Sequence, residues 1–122
     1  MNELIESIFA NFTVDEKIIP VKFLRYNGHE TTYVTYMNID GDASYSGDDD
    51  LLGFVDYYDF DVYSKGNYMN IIEQIKIKLK ENGFVWQPSR TSQDMFEDET
   101  QYYHKTLCFA YPLSLKEENQ NG

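Results

Sequence analysis

Hydrophobic residues recur at helical spacing in two stretches of the chain. In residues 2–12 the apolar side chains that would share one helical face are Leu4, Ile5, Ile8, Phe9 and Phe12. In residues 67–82 the corresponding stripe consists of Tyr68, Ile71, Ile72, Ile75 and Leu79. Asn67 is the predicted N-cap of this second helix, and Gly83 is predicted to end it in a left-handed conformation. The pattern predicts two amphipathic helices, with Ile77 alone on the outer side of the second.

Elsewhere, β-branched and aromatic residues follow the pattern of strands. We predict strands over residues 19–26, 31–37, 54–64, 84–87 and 101–111. Asn27-Gly28 lies between the first two and indicates a tight hairpin, because both positions of such a turn favour positive φ. The third strand alternates, so its predicted core face carries Phe54, Tyr58, Phe60 and Val62. Its other face then carries Val55, Tyr57, Asp59, Asp61 and Tyr63.

The predicted order of elements is α-β-β-β-α-β-β. This order indicates an α+β fold with a largely antiparallel sheet and two helices packed on one face. Residues 1–113 are predicted to form a single domain, and residues 114–122 a flexible, solvated tail. Residues 89–100 are predicted to form a polar loop, and Pro112 is predicted to end the last strand.

An acidic stretch, NIDGDASYSGDDD at residues 38–50, interrupts the strand pattern. The acids of this predicted loop, residues 38–53, are Asp40, Asp42, Asp48, Asp49 and Asp50. An EF-hand loop needs glycine at position 6 and glutamate at position 12. Counting from Asn38 places Ala43 at position 6 and Asp49 at position 12, and counting from Asp40 places Tyr45 at position 6. Neither register forms an EF-hand, so we predict a solvated loop without a specific metal ion.

The charge of the chain narrows its possible partners. Ten Lys and Arg residues against 21 Asp and Glu residues give a net charge of −11. Such a chain repels nucleic-acid phosphates and anionic membranes, so we expect neither tight nucleic-acid binding nor a membrane partner. An acidic protein could instead mimic DNA and inhibit a host DNA-binding enzyme. The sequence MNELIESIF lacks the basic region of a secretion signal, and Cys108 is expected to be a buried thiol in a reducing cytoplasm.

Residue types that carry catalysis are sparse. His29 follows the predicted turn, His104 lies within a strand, and no glycine-rich nucleophile elbow, P-loop, GxGxxG or CxxC occurs in the sequence. Asp59 and Asp61 share one strand face, where two carboxylates can approach each other as in a glycosidase. Strand acids more often face a cross-strand partner, for which Lys105 is the candidate, or a subunit interface. We therefore expect a non-enzymatic protein without a cofactor.

The basic residues are unevenly distributed. No Lys or Arg occurs between Arg25 and Lys65, a span with nine acidic residues, whereas three lysines lie on the second predicted helix. A molecule with one negative side and a basic edge suits head-to-tail contacts in a ring. An acidic surface that aids solubility explains the same charges. The candidate subunit-interface residues are Asp59, Asp61, Lys76, Ile77, Lys80, His104 and Lys105.

Three segments together carry a resemblance to a known family: NGHETTYVTYMN, YYDFDVYSKGNYMNIIEQIKIKLKENGF and MFEDETQYYHKTLCFAYPL. The second joins a strand ending in DVYSK to an amphipathic helix and a terminal NGF, and the third joins an acidic turn to YYHK and an apolar strand. In this order they resemble the small tail-completion, or tail-terminator, proteins of long-tailed phages and prophages of Gram-positive bacteria. The similarity covers residues 19–113.

The resemblance implies a non-enzymatic virion component of the tail or neck, made in the cytoplasm of a bacterial host. Such proteins form a hexameric ring that caps the tail tube and offers the head a docking surface. The implied partners are other copies of the chain, the tail tube protein and the head connector or neck protein. The acidic loop is then expected to lie on the ring face or in its lumen, where mutual repulsion opposes assembly without a tube. A neck or head-completion subunit is a close alternative.

Overall fold

A computed structural model describes residues 2–45 and 51–114 of the chain. In chain order the elements are α1 (Asn2–Ile8), β1 (Thr13–Val14), β2 (Lys17–Ile18), β3 (Val21–Phe23), β4 (Tyr33–Tyr45), β5 (Leu51–Ser64), α2 (Met69–Glu81), β6 (Val85–Trp86), a 3₁₀ turn (Pro88–Arg90), β7 (Met95–Glu97) and β8 (Tyr102–Ser114). The fold is α+β with two α-helices and a largely antiparallel sheet, which confirms the predicted class.

The main sheet has six strands in the order β3-β4-β5-β8-β6, and β7 also pairs with β8. The long strands β4, β5 and β8 form its antiparallel centre, where Tyr36 lies opposite Phe60 and Phe60 lies opposite Leu107. β6 and β7 follow one another along the outer side of β8, on either side of the 3₁₀ turn. β1 and β2 form a separate two-stranded sheet.

The hydrophobic core lies between the helices and one face of this sheet. Strand alternation brings Tyr58, Phe60 and Val62 to the core side, as their pattern predicted. The ring of Phe60 lies at the centre, with its centroid 5.9 Å from Phe9, 5.6 Å from Tyr36 and 5.7 Å from Phe109. Both helices contribute to this one cluster. The helical residues buried in it are Ile5 from α1 and Ile71, Ile72, Ile75 and Leu79 from α2.

The helix ends differ slightly from their predicted positions. α2 begins at Met69, after Tyr68 as N-cap, while the predicted cap Asn67 accepts a side-chain hydrogen bond from the Met69 N–H at 3.0 Å. Gly83 follows the helix with a φ of +89°, the conformation predicted for it. α1 ends at Ile8 rather than at residue 12, because the chain turns through Asn11 at a φ of 56°.

The predicted hairpin at Asn27-Gly28 is wrong. β3 runs parallel to β4, with Val21 opposite Val34, so the chain between them is a crossing connection and not a two-residue turn. Gly28 has another role in this loop: a Cβ at this position would collide with the Tyr26 hydroxyl, which accepts a hydrogen bond from the Glu30 N–H at 2.9 Å. The glycine is required for the close approach of the tyrosine.

The predicted loop over residues 38–53 is largely strand. β4 continues through Tyr45 and β5 begins at Leu51, so Asp40 and Asp42 have a strand backbone. The pairing shifts register between Ile39 and Asp42, as at a β-bulge. Asp48, Asp49 and Asp50 lie outside the described residues, as do residues 115–122 of the predicted tail.

The prediction that Pro112 ends the last strand is also wrong, because β8 continues to Ser114. Cys108 and Thr106 direct their backbone groups away from β5, toward Gln87 and Ser92. By strand alternation the nitrogen of Pro112 points to the same outer side, beyond the end of β6. Its missing N–H therefore interrupts no bond to β5, and the proline is tolerated.

The predicted polar loop over residues 89–100 contains regular structure. The 3₁₀ turn begins it, and β7 adds three residues to the outer side of β8. Ser92 connects the two, since its N–H donates to the Thr106 carbonyl oxygen at 2.9 Å. β6 and β7 thus form one edge strand, interrupted where the 3₁₀ turn leaves the sheet.

Candidate functional site

The face of the sheet opposite the helices is the candidate functional surface, and we call it the open face. Its side chains, taken along β4, β5 and β8, are Tyr33, Thr35, Met37, Ile39, Tyr57, Asp59, Asp61, Tyr63, Tyr102, His104, Thr106, Cys108 and Ala110. None of them belongs to the helix-packed core. Most are half-buried, although Thr35, Cys108 and Ala110 are buried between their neighbours.

Asp61 lies near the middle of the open face. Its carboxylate accepts a hydrogen bond from the Thr106 hydroxyl directly across the strand pair. His104 lies two residues before Thr106 on β8, opposite Tyr63, and its Nε2 is 3.5 Å from Asp61 Oδ1. That separation is at the limit for a hydrogen bond, and His104 Nε2 makes no hydrogen bond to any described residue. Asp61 and His104, both predicted interface residues, are therefore brought together.

Lys105 does not take the role predicted for it. It lies opposite Val62, on the core side of the sheet, so it cannot face Asp59 or Asp61. Its Nζ lies 3.4 Å from Asp94 Oδ1 instead. Strand alternation determines this outcome, because neighbouring residues on β8 must point to opposite faces.

Asp59 occupies a less favourable site for a charge. Burial raises its pKa, the nearby Asp61 charge adds to this effect, and a hydrogen bond from Cys108 and the charge of Arg90 oppose it. The Arg90 guanidinium reaches over the open face from the 3₁₀ turn and lies 3.9 Å from the centroid of the Tyr57 ring. Burial also raises the pKa of Cys108 to about 11, so the thiol is neutral at physiological pH and a poor nucleophile.

Aromatic rings form a continuous row across the strands of the open face. Tyr33 stacks on Tyr63 with centroids 4.9 Å apart, and Tyr63 stacks on His104 at 4.3 Å with the rings 9° from parallel. Tyr26 extends the row from the β3–β4 connection, 4.8 Å from Tyr33. Burial raises the pKa of Tyr63 to about 12. Tyrosines that combine apolar rings with polar ends are enriched at protein interfaces.

Replacing Asp59 and Asp94 by asparagine is expected to have opposite effects on stability at pH 7. Because folding raises the pKa of Asp59, its ionised form costs stability, and Asp59→Asn should raise the melting temperature. The pKa of Asp94 is lowered by the hydrogen bond from the Tyr68 hydroxyl at 2.6 Å and by Lys105, so Asp94→Asn should lower the melting temperature. Because both carboxylates are partly exposed to water, each substitution should change the free energy of unfolding by less than about 1 kcal/mol.

Thermal unfolding between pH 7 and pH 3 measures both effects. The gain in Asp59→Asn should shrink as the pH falls through the raised pKa of the wild-type carboxyl. The loss in Asp94→Asn should persist to lower pH and disappear only below the ordinary aspartate pKa of 3.8. Shifts of the same sign in both variants would show that the two carboxylates do not differ as described.

The remaining predicted interface residues lie on the helix side of the molecule. Ile77 projects from α2 away from the core and is 46% exposed, as predicted. Lys76 is held above the Trp86 ring, with Nζ 3.8 Å from the centroid, and lies 3.6 Å from Glu73. Lys80 is exposed beside the same tryptophan. The structure thus separates these three residues from Asp59, Asp61 and His104, which lie on the open face.

Arg90 and Cys108 contribute to the open face although the sequence did not indicate it. Arg90 belongs to a segment predicted to be a polar loop, and only the 3₁₀ turn carries it over the sheet. Cys108 was expected to be buried, which is confirmed, but its position opposite Asp59 depends on the register of β5 and β8. Register between strands that lie far apart in sequence has no local signal.

Comparisons with the models of known protein families and with curated proteins find no match to this chain. Among residues 2–45 and 51–114, no three His, Cys, Asp or Glu side chains are grouped so as to hold a metal ion. In the same part of the chain, no helix has the length and apolar character needed to cross a membrane. The function must therefore be argued from the surface itself.

Proposed function

We propose that this chain is a non-enzymatic structural subunit of a phage virion. In this proposal it is a tail-completion, or tail-terminator, subunit that assembles into a hexameric ring on the tail tube and offers a docking surface to the head. The partners are other copies of the chain, the tube protein and the connector or neck protein. The sequence resemblance over residues 19–113 supports the family, and the open face supports an assembly role.

The open face is the observation that carries the proposal. It combines a row of stacked tyrosines with apolar side chains, of which Met37 is 38% exposed. Antiparallel sheets commonly leave one face in water, but such a face is then mostly polar. Four tyrosines with Met37 and Ile39 on this face match the composition of an interface better than that of a solvated face.

The chemistry of the open face favours contact over catalysis. The thiol of Cys108 is neutral and fully buried, and His104 stacks on Tyr63 rather than facing a hydroxyl or thiol nucleophile. Asp59 and Asp61 hydrogen-bond to cross-strand partners on the sheet, Cys108 and Thr106, whereas a pair of catalytic acids works in a cleft around a substrate. These groups are suited to hydrogen bonding with a protein partner.

The test is binding to tail tubes, polymerised from the tube protein of the same phage and examined by electron microscopy. We expect the chain to add a ring at one end of each tube. Met37→Lys places a charge on the open face and should abolish this binding. Met69→Lys makes the same change at an exposed methionine on the helix side and should leave it intact. Equal loss in both variants would remove the open face from the proposal.

The alternatives give different results in the same experiment. A neck or head-completion subunit would bind the isolated head connector and leave tube ends bare. A DNA mimic would bind neither assembly, and it would inhibit host nucleases or restriction enzymes in a cleavage assay. Absence of the chain from tube ends contradicts the tail-terminator proposal in either case.

A further inference from the structure

The main sheet ends in two edges that expose apolar side chains. On one side, β3 pairs only with β4 among the described strands, and Phe23 and Leu24 are 44% and 58% exposed. On the other side, β7 pairs only with β8 in the described structure, and Met95 and Phe96 are 41% and 44% exposed. Exposed apolar edge strands are templates for pairing with another chain unless they are protected.

The two edges carry opposite charges. Lys22 is the one charged residue of β3 and Arg25 follows the strand, whereas Glu6 lines the groove beside this edge and the more distant Lys17 is preceded by Asp15 and Glu16. Glu97 lies within β7 and is followed by Asp98 and Glu99, with no Lys or Arg between Arg90 and Lys105. Complementary charges at the two ends of one sheet favour contact between different edges over contact between like edges.

The side chains of the two edges also match face by face. Phe23 lies beside Tyr36 and Phe96 beside Tyr103, which places both phenylalanines on the core side of the sheet. Lys22 lies beside Thr35 and Glu97 beside Tyr102, which places both charges on the side of the open face. A sheet that continues from one copy into the next therefore brings phenylalanine to phenylalanine and lysine to glutamate.

Backbone groups are free for such a contact. Pro20 and Leu24 hydrogen-bond to β4, through the Pro20 carbonyl and the Leu24 N–H, so alternation points the N–H groups of Val21 and Phe23 outward. On β7, the backbone groups of Met95 and Glu97 point toward β8, where these residues pair with His104 and Tyr102. The N–H and C=O of Phe96, between them, therefore point outward. These groups could extend the ladder by a few bonds.

Leu24 adds a sign of strain at the β3 edge. It has a φ of 67°, unusual for a residue with a Cβ, and the Arg25 N–H bonds to the Phe23 carbonyl across it at 2.8 Å. This turn holds an apolar side chain that is more than half exposed to water. Strained backbone of this kind is concentrated at functional positions.

We infer that β3 of one copy pairs with β7 of the next, so that the sheet continues from subunit to subunit. This inference rests on the proposed ring-forming function and names the surfaces that form the ring. A contact between two different edges is heterologous. Repeating it from subunit to subunit forms a closed ring when the rotation between neighbouring subunits adds up to a full turn. Each edge strand has only three residues, so one contact is weak and closure of the ring stabilises all of them together.

Cross-linking between two variants that each carry one added cysteine tests the contact directly. Lys22→Cys and Glu97→Cys place thiols on the same side of the two edges, and the buried Cys108 of the wild type controls for background. After mixing, a short bis-maleimide should join Lys22→Cys to Glu97→Cys and should not join either variant to itself. Cross-linked dimers formed by either variant on its own would indicate a symmetric dimer and would overturn the inference.

Charge reversal provides a second test, read by sedimentation of tube-bound or concentrated protein. Lys22→Glu and Glu97→Lys should each reduce assembly at least about tenfold, and the two changes combined in one chain should restore it. Lys78→Glu makes the same change as Lys22→Glu at a lysine of α2 and should have no effect on assembly. If assembly were lost in Lys78→Glu, and were not restored in the double variant, the contact would belong to the helix surface.

The two proposals can fail separately. Rings on tube ends that form without a cross-link between the Lys22→Cys and Glu97→Cys variants would overturn the edge contact and leave the tail-terminator function standing. Cross-linked chains of subunits that never bind a tube would support the edge contact and contradict that function.

Discussion

Phe60→Ala is expected to lower the free energy of unfolding by about 3–5 kcal/mol. Phe60 is fully buried, and its ring contacts Phe9 from the turn after α1, Tyr36 from β4 and Phe109 from β8 at centroid distances of 5.6–5.9 Å. Truncation leaves a cavity between layers that long strands hold in place, so the site has little freedom to collapse. Because domains of this size are stable by about 5–15 kcal/mol, the variant should melt far below the wild type.

The matched control is Phe96→Ala, the same substitution at a 44% exposed position on the sheet edge. It should cost only about 1–2 kcal/mol, because nearly half of this side chain remains in water in the folded protein and its removal leaves no enclosed cavity. Denaturant unfolding of both variants measures the difference. If Phe60→Ala cost no more than Phe96→Ala, the centre of the core would not lie where the structure places it.

Neutralising Asp48, Asp49 and Asp50 to asparagine is expected to favour ring formation in the absence of tubes. Six copies of a chain with net charge −11 carry 6 × 11 = 66 negative charges, and the triple variant removes 3 × 6 = 18 of them. If the triplets approach one another within the ring, within a Debye length of about 10 Å at 0.1 M salt, their repulsion opposes assembly. We expect at least a tenfold lower concentration for half-assembly, the equivalent of about 1.4 kcal/mol.

Light scattering across protein concentration and salt measures this effect as absolute mass. The matched control carries Glu3→Gln, Glu73→Gln and Glu81→Gln, three exposed acids on the helices, and so makes the same change in net charge. If this control assembled as readily as the triple aspartate variant, the easier assembly would result from the total charge and not from the position of the three aspartates. A triple aspartate variant that stays as monomeric as the wild type would contradict the repulsion.

The elements that the sequence predicted well are those with a strong local period. The buried stripe of α2 and the alternation of Tyr58, Phe60 and Val62 in β5 both follow from residues close together in the chain. The same alternation placed Asp59 and Asp61 on the open face before their partners were known. Periodicity gives the direction of a side chain relative to its own element, and the structure confirms it in these cases.

What the sequence did not predict depends on contacts between distant segments. Asn27-Gly28 is a strong hairpin signal, but the parallel pairing of β3 with β4 overrides it, and Gly28 serves the packing of Tyr26 instead. Lys105 was assigned to the face of Asp59 and Asp61, but alternation along β8 places it on the side opposite His104, and the pairing with Val62 shows that this is the core side. The open face is a product of three strands from different parts of the chain, so only its β5 side was predictable.

The position of β8 in the sheet has a consequence for synthesis of the chain. β8 is the last described strand in sequence, yet it lies between β5 on one side and β6 and β7 on the other. While the ribosome is still making residues 102–114, β5 lacks one neighbour, and β6 and β7 have no strand to pair with. The sheet therefore closes only after translation of β8, and a paired β7 edge exists only on chains that have been translated through β8.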